Sequence, residues 1–270
     1  MLDKPAIKFL NDLGYNPVSY PYREFEPMDV LYRAKKKLAR LGSVSYIIAD
    51  TSEKKPKIER DRETPKISGH LTAKFNFSLG VSALDNLLSA IGVPGVGVKG
   101  LFKNAKSFTF EYKNVLLDSS EPLAIAKYLG NSVPDMKNKL IGHFDEKKEA
   151  YIVLEVLKSN SFSITSKDKN ECNLDIDVAN LQDIISVQPG ITVKKTEDYT
   201  VSFKGKKYFN FAIMVMMMWV SPESQSFEMM IPGKPPGVGT KAMFSMEEKD
   251  AQNIFSPPLI QPGELLDISD

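Results

Sequence analysis

The residues best able to do chemistry in this 270-residue chain are few, and their spacing does not suit catalysis. There are two histidines, His70 and His143, and neither lies in an HExxH or other metal-ligand spacing. The single cysteine, Cys172, can make no internal disulfide and has no partners for a zinc site. No GxSxG elbow presents a serine nucleophile. Asp175 and Asp177 fall near the start of an expected helix, where capping explains a carboxylate better than acid–base work. The glycine-rich GVPGVGVKG at 92–100 lacks the GxxxxGK[ST] pattern of a phosphate loop and reads as a hinge. The methionines at 214–218 could in principle ligate copper or heme, but gap-filling in a buried strand accounts for them. The sequence therefore predicts no enzyme, no cofactor and no metal.

Charge offers a different chemistry. Arg33, Lys35, Lys36, Lys37 and Arg40 cluster among Val30, Leu31, Leu38 and Leu41. Such a cluster is either a solvated surface or a patch for anionic lipid or nucleic acid. Its flanks show no nucleic-acid reader, and Trp219 lies inside an apolar run where it cannot serve as a stacking platform. No nucleic-acid partner is expected. The formal charge of +1 hides an asymmetry, because residues 241–270 carry two lysines against six carboxylates, a net of −4. The remaining 240 residues carry +5, so loss of the tail leaves a more basic body.

Several elements position these groups. Strict alternation marks strands at 71–79 and 105–115, with Phe75, Phe77, Phe108 and Phe110 on the apolar faces. Two further extended runs are expected, AYIVLEVLK from residue 150 and SFSITS from residue 161, and another region alternates through 191–203. Residues 209–220 are too short an apolar stretch for a spanning helix and read as a central strand buried on both faces. Helices are expected at 3–13, ending at Gly14, at 81–91, at 121–129 with Ser120 as N-cap and Pro122 at the first position, and at 178–186. Residues 28–41 fit either a helix or a strand start, and 50–68 read as a long polar loop. IPGKPPGVGT, residues 231–240, has the composition of a linker. The N-terminus shows no secretory signal, and one cysteine fits a reducing compartment. The amphipathic runs approach the 9–11 residues of a membrane barrel strand, although half-buried soluble sheets give the same pattern.

In order, PVSYPYREFEPMDVLYRAKKKLARLGSVSYII, FNFSLGVSALDNLLSAIG, FTFEYKNVLLDSSEPLAIAKYL, EAYIVLEVLKSNSFSI and YTVSFKGKKYFNFAI resemble the bacterial gasdermins over residues 3–215. The resemblance implies an α+β fold, a twisted and mainly antiparallel sheet decorated by short helices, with a short C-terminal inhibitory peptide. It divides the chain into a pore-forming body at 1–232, a linker with the cleavage site at 233–250, and an autoinhibitory peptide at 251–270. It implies a monomer that is cytoplasmic when intact. A defence-associated protease would cut it, and the body would then bind inner-membrane lipid, oligomerise and insert hairpins as a large barrel during antiphage cell death. Hairpin arms fall at 68–80 with 104–117, and at 149–166 with 190–204. The basic cluster 33–40 takes the headgroup-contact role. Lys234, Lys241 and Asp250 are candidate cleavage positions, and Ile254, Phe255, Leu259 and Ile260 are candidate inhibitory contacts. The chain departs from the many relatives with a lipidated cysteine near the start, since it begins MLDKP. A non-inserting lipid-surface or protein-binding scaffold with a regulatory tail is the rival reading.

Overall fold

The computed structural model describes residues 10, 13–18, 25–34, 37–64, 88, 107–141, 144, 150–167, 173–174, 191–197, 200–221, 223–230 and 268–269. In chain order the strands are β1 (Asn16–Pro17), β2 (Asp29–Ala34), β3 (Lys37–Ser43), β4 (Ile48–Thr51), β5 (Ile58–Glu63), β6 (Ser107–Lys113) and β7 (Leu116–Ser120). Helix α1 (Pro122–Gly130) follows, then β8 (Ser132–Pro134), β9 (Ala150–Lys167), β10 (Asn173–Leu174), β11 (Thr192–Glu197), β12 (Thr200–Val220), β13 (Phe227–Met230) and β14 (Ile268–Ser269).

The two longest strands organise the rest. β9 and β12 pair antiparallel from Thr165–Thr200 at one end to Ala150–Met218 at the other. Each offers a free edge that shorter strands fill in succession. Along β9 lie β6, β7 and β2. Along β12 lie β11, β1 and β13. β3 pairs with β2, and β14 adds to the outer edge of β3 as the one parallel pairing in this sheet among the described residues. β4 and β8 form a separate pair.

The apolar run becomes the doubly buried strand its composition demanded. Along β12, Ala212, Met214, Met216, Met218 and Val220 enter one core, while Ile213 and Val215 enter the other. β9 divides likewise, sending Ile152 and Leu154 to the larger core and Tyr151 and Val153 to the smaller. Ile125, Tyr128 and Leu129 of α1 pack into the larger core with Val44, Ile47 and Phe144. A period-two strand covered on both sides shows no polar alternation, which is why 211–220 is continuously apolar.

Several boundaries differ from expectation for local reasons. Residues 28–41 are a hairpin, with a bulge where Gly42 adopts φ 104°, a conformation that favours glycine. The polar loop expected at 50–68 contains β5, an exposed strand with a register shift at Asp61, whose φ is 58° and whose N–H donates to Asp118 Oδ1 at 2.8 Å. Its faces do not alternate because it lies at an edge and buries little. The two runs expected at 150–158 and 161–166 are one strand. Helix α1 starts at Pro122 as read, but Glu121 is its N-cap, and the Ser120 hydroxyl donates to Lys57 O at 3.1 Å instead. Gly14 closes a helical end as expected, at φ 86°, with Tyr15 N–H donating to Leu10 O at 2.8 Å. The helices expected at 81–91 and 178–186 lie essentially outside the described residues.

Phe162 is fully buried, stacks on Phe203 at 5.1 Å and meets Phe209 edge-on at 6.0 Å. Phe162→Ala is expected to lower unfolding free energy by about 3–5 kcal/mol, the range for truncating a fully buried aromatic ring. Equilibrium denaturation of the two proteins checks this.

Candidate functional site

The chemistry-bearing feature is a stretch of sheet, built from the register of four strands. In the order β6, β9, β12, β11, residues that pair directly share a face. Tyr112, Phe162, Phe203 and Val193 form one such row, and all four are buried. The next row is Glu111, Ser163, Ser202 and Lys194, polar throughout. Ile164 and Val201 then return to apolar character, with Phe110 at the register position of Ile164. Thr165 and Thr200 are polar again.

The polar rows are bonded across the strands. The Ser163 and Ser202 hydroxyls lie 2.7 Å apart, and those of Thr165 and Thr200 2.8 Å apart. Ser161 and Ser163 are buried, Glu111, Thr165, Thr200 and Ser202 are half-buried, and Lys194 is exposed. The unit therefore combines an apolar face with a face of hydroxyls and charges, each continuous across strands.

A boundary separates this unit from the doubly buried part of the sheet. It runs through Asn114, with φ 53°, on one flank and Ser159–Asn160 of β9 in the middle. The Ser159 hydroxyl bonds to Lys113 O and also accepts from Ser161 N–H at 3.0 Å. Just inside the boundary, Lys158 Nζ contacts Asp118 Oδ2 at 2.7 Å and Asp61 Oδ1 at 2.9 Å. Burial lowers the affinity of Lys158 for its proton, but these two carboxylates outweigh it, and the net shift is upward. Glu155, further along β9, accepts from the Tyr15 hydroxyl. Desolvation raises the Glu155 carboxyl above the usual range, partly opposed by the Tyr15 hydrogen bond and by Arg62, with Glu121 adding to the rise. Sequence reading found neither group, because a lone lysine or glutamate in a strand does not name partners 40 to 140 residues away.

The expected site residues are dispersed. Arg33 lies 6.0 Å from the centre of the Tyr151 ring. Arg40 is engaged by Asp29, through contacts of 2.7 and 3.1 Å. Lys37 begins β3, and Lys35 and Lys36 lie outside the described residues. The turn between β2 and β3 follows the Tyr32–Ala150 pair, at the opposite end of β9 from the amphipathic unit. Phe108 and Phe110 lie in β6, at the register positions of Ser166 and Ile164. Phe75, Phe77, Lys234, Lys241, Asp250, Ile254, Phe255, Leu259 and Ile260 lie outside the described residues, as do His70, His143 and Cys172. The expected arm at 190–204 is not one strand: β11 and β12 make a tight hairpin, and β12 alone pairs with β9. In the tail, Ile268 and Ser269 pair with Leu38 and Ala39.

Among the described residues, no helix is long and apolar enough to cross a membrane, and no group of three or more His, Cys, Asp or Glu could hold a metal. The sheet itself carries amphipathic strands whose polar and apolar rows share a register. The profile of the Bacterial Gasdermin Family matches residues 18–226. The chain is 29% identical over 208 residues to gasdermin bGSDM of Vitiosangium sp., covering 77% of this chain and 78% of that one. It is 29% identical over 203 residues to gasdermin bGSDM of Lysobacter enzymogenes, covering 74% and 75%. A solved bacterial gasdermin from Bradyrhizobium tropiciagri shares the fold at TM-score 0.56, with 12% identity, over 84% of this chain and 90% of that one. The chain belongs to the bacterial gasdermin family, a family of latent, non-enzymatic pore-forming proteins.

The raised carboxyl of Glu155 gives a pH signature with a definite sign. A group that holds its proton more tightly when folded adds stability below its unfolded pKa and loses it as pH rises through the folded value. The Glu155 contribution to folding stability should therefore fall as pH rises from the ordinary glutamate range, about 4.3, and that contribution should vanish in Glu155→Gln. Denaturation midpoints for both proteins across this range test it, and parallel pH profiles would contradict the assignment.

Proposed function

We propose that the intact chain is the latent form of a membrane pore and that proteolytic removal of its C-terminal peptide releases the body. The body then binds membrane lipid, self-associates and inserts amphipathic hairpins that close into a large β-barrel. In this reading the intact protein is a cytoplasmic monomer, the cut body acts at the inner membrane, and the outcome is death of an infected cell in antiphage defence.

The observation that carries the reading is the shared facing of β6, β9, β12 and β11. Strands that cross lipid need one apolar and one polar face in common register, since charges turned to hydrocarbon cost several kcal/mol, roughly 2–4 near the midplane. Here the polar and apolar rows are aligned before any membrane is met. The flanking strands β6 and β11 are still too short, at seven and six residues. The seven residues of β6 reach about 23 Å at 3.3 Å each, against a hydrocarbon core of about 30 Å. Insertion therefore requires further residues, and the alternating sequence at 71–79, with Phe75 and Phe77 on its apolar face, is suited to supply them. A lone inserted hairpin would leave unpaired backbone in lipid, so subunits must close a ring.

The tail is suited to restraint. The β14–β3 pairing lays the chain terminus along the outer edge of the sheet. A second copy would need an edge of this kind for pairing. Tethering gives even a weak contact an effective concentration in the millimolar range, about that of short flexible linkers. Cutting within 233–250, at Lys234, Lys241 or Asp250, would remove that advantage and release Ile254, Phe255, Leu259 and Ile260 with the 251–270 peptide. Arg33 and Lys35–Lys37 remain candidate headgroup contacts, whereas Arg40 must first exchange Asp29 for lipid.

Chains truncated at several points between 234 and 252 should release dye from anionic liposomes, and the full-length chain should not. Intact liposomes with every truncate would refute the latent-pore reading. Membrane association without leakage or rings would favour the scaffold.

A further inference from the structure

The hydroxyl face of the four-strand unit carries an excess of charge of one sign. Residues that pair directly across β6, β9, β12 and β11 share that face row by row. The row nearest the doubly buried sheet is Lys113, Ser161, Lys204 and Thr192. Glu111, Ser163, Ser202 and Lys194 follow. The third row has Thr109, Thr165, Thr200 and Glu197 at its register positions, and beyond it Ser107 pairs with Lys167. The rows stop where β12 sets Gly205–Tyr208 against Asn160 alone in β9, between the Lys204–Ser161 and Phe209–Ser159 pairs.

Lys194 and Lys204 are exposed, while Lys113 and Glu111 are half-buried and 3.8 Å apart. Hydroxyls fill the remaining positions of these rows and bring no charge near neutral pH. Three lysines therefore face one glutamate, a surplus of +2. Lys167 and Glu197, which register places on the same face, cancel one another. The alternating sequence at 71–79 repeats the sign, because Thr72, Lys74, Asn76 and Ser78 include one lysine and no carboxylate. The whole chain has a formal charge of only +1, so this surplus belongs to the face and is no echo of composition.

The opposite face fixes which way these charges point in a membrane. Tyr112, Phe162, Phe203 and Val193, with Ile164 and Val201, are the side that hydrocarbon accepts. The hydroxyl face is then left to water inside the ring, and each added copy repeats its surplus. Fixed charge of one sign on a wet wall attracts counter-ions and repels co-ions within about a Debye length, roughly 8 Å at physiological ionic strength. Small monovalent ions in the middle of a wide lumen are screened from it. A solute bearing several charges near the wall gains or loses energy in proportion to them.

We propose that this face makes the pore anion-preferring, with Lys113, Lys194 and Lys204 as its specificity-determining residues and Glu111 opposing them. The cargo it favours is multiply charged anions, phosphorylated and polycarboxylate solutes, over polycations of the same size. The proposal rests on the pore-forming reading and adds to it the sign of what passes.

The test uses the full chain with a protease site introduced after Lys241, cut beside a planar bilayer of phosphatidylcholine and phosphatidylglycerol. Two potassium chloride solutions of unequal concentration bathe it, and the zero-current potential reads the preferred ion. In baths of about 0.01 M, where the Debye length is about 30 Å, the cut parent should prefer chloride. That preference should fade as both baths approach 1 M, where the Debye length is about 3 Å. K113Q/K194Q/K204Q leaves Glu111 in excess and should reverse the sign of the potential, whereas K113R/K194R/K204R should keep it. Glu111→Gln should strengthen the chloride preference. K137Q/K139Q removes two exposed lysines outside these strands and should change nothing. The bilayer is the same throughout, so its own charge cannot produce these differences. Conductance that prefers potassium in the parent, or that keeps its chloride preference in K113Q/K194Q/K204Q, would overturn the selectivity and leave the pore reading standing. No conductance from the cut parent would overturn the pore reading and this proposal with it.

Discussion

The antiparallel pairing of β9 with β12 is the interaction on which the rest of the structure depends. Two long strands side by side satisfy one another's backbone along a shared edge, but each still has an outer edge with donors and acceptors to be paired. Among the described residues, six shorter strands meet that requirement, three on each side. The flanking strands are consequently segments from distant parts of the sequence, collected by a common need for backbone partners.

The same pair unites two kinds of sheet. From residues 150 to 158 β9 sends apolar side chains into cores on both faces, while from 161 to 165 it alternates between aromatic or aliphatic and hydroxyl groups. The first kind is held by burial on both sides and resists being opened. The second pairs Ser163 with Ser202 and Thr165 with Thr200 through their hydroxyls and keeps a continuous apolar face. The break at Asn114, Ser159–Asn160 and Gly205–Tyr208 falls between them, so the doubly buried and amphipathic portions meet at one level of the sheet.

Lys158 and Glu155, near this break, are secured by tertiary partners, whereas the buried Asn160 Oδ1 at the break has none among the described residues. Lys158 has Asp118 and Asp61, and Asp118 also accepts from the backbone of Asp61. Glu155 has Tyr15, which fastens the N-terminal segment at β1 across to β9. Each is a charge or carboxyl placed on a core strand, unfavourable alone and acceptable because its hydrogen bonds are made. They tie β5, β7 and β1 to the central pair more selectively than apolar packing would.

The sequence by itself determined the periodicities. The alternation at 105–115, the runs at 150–158 and 161–166, the doubly buried 209–220 and helix α1 with Pro122 at its first position were legible, because period two and an N-terminal proline depend on near neighbours. The family was legible too, through the order of several segments. The sequence could not decide that 150–158 and 161–166 are continuous, that 191–203 folds back on itself, or that 58–63 is a strand. Those outcomes depend on which edge each segment finds. Nor could it show that Arg40 is committed to Asp29, or that Gly205–Tyr208 stands out from its strand, since both follow from cross-strand register. Side-chain periodicity is a local property of the chain, whereas register and charge pairing are set between residues far apart in it. Only the tertiary structure brings those residues together.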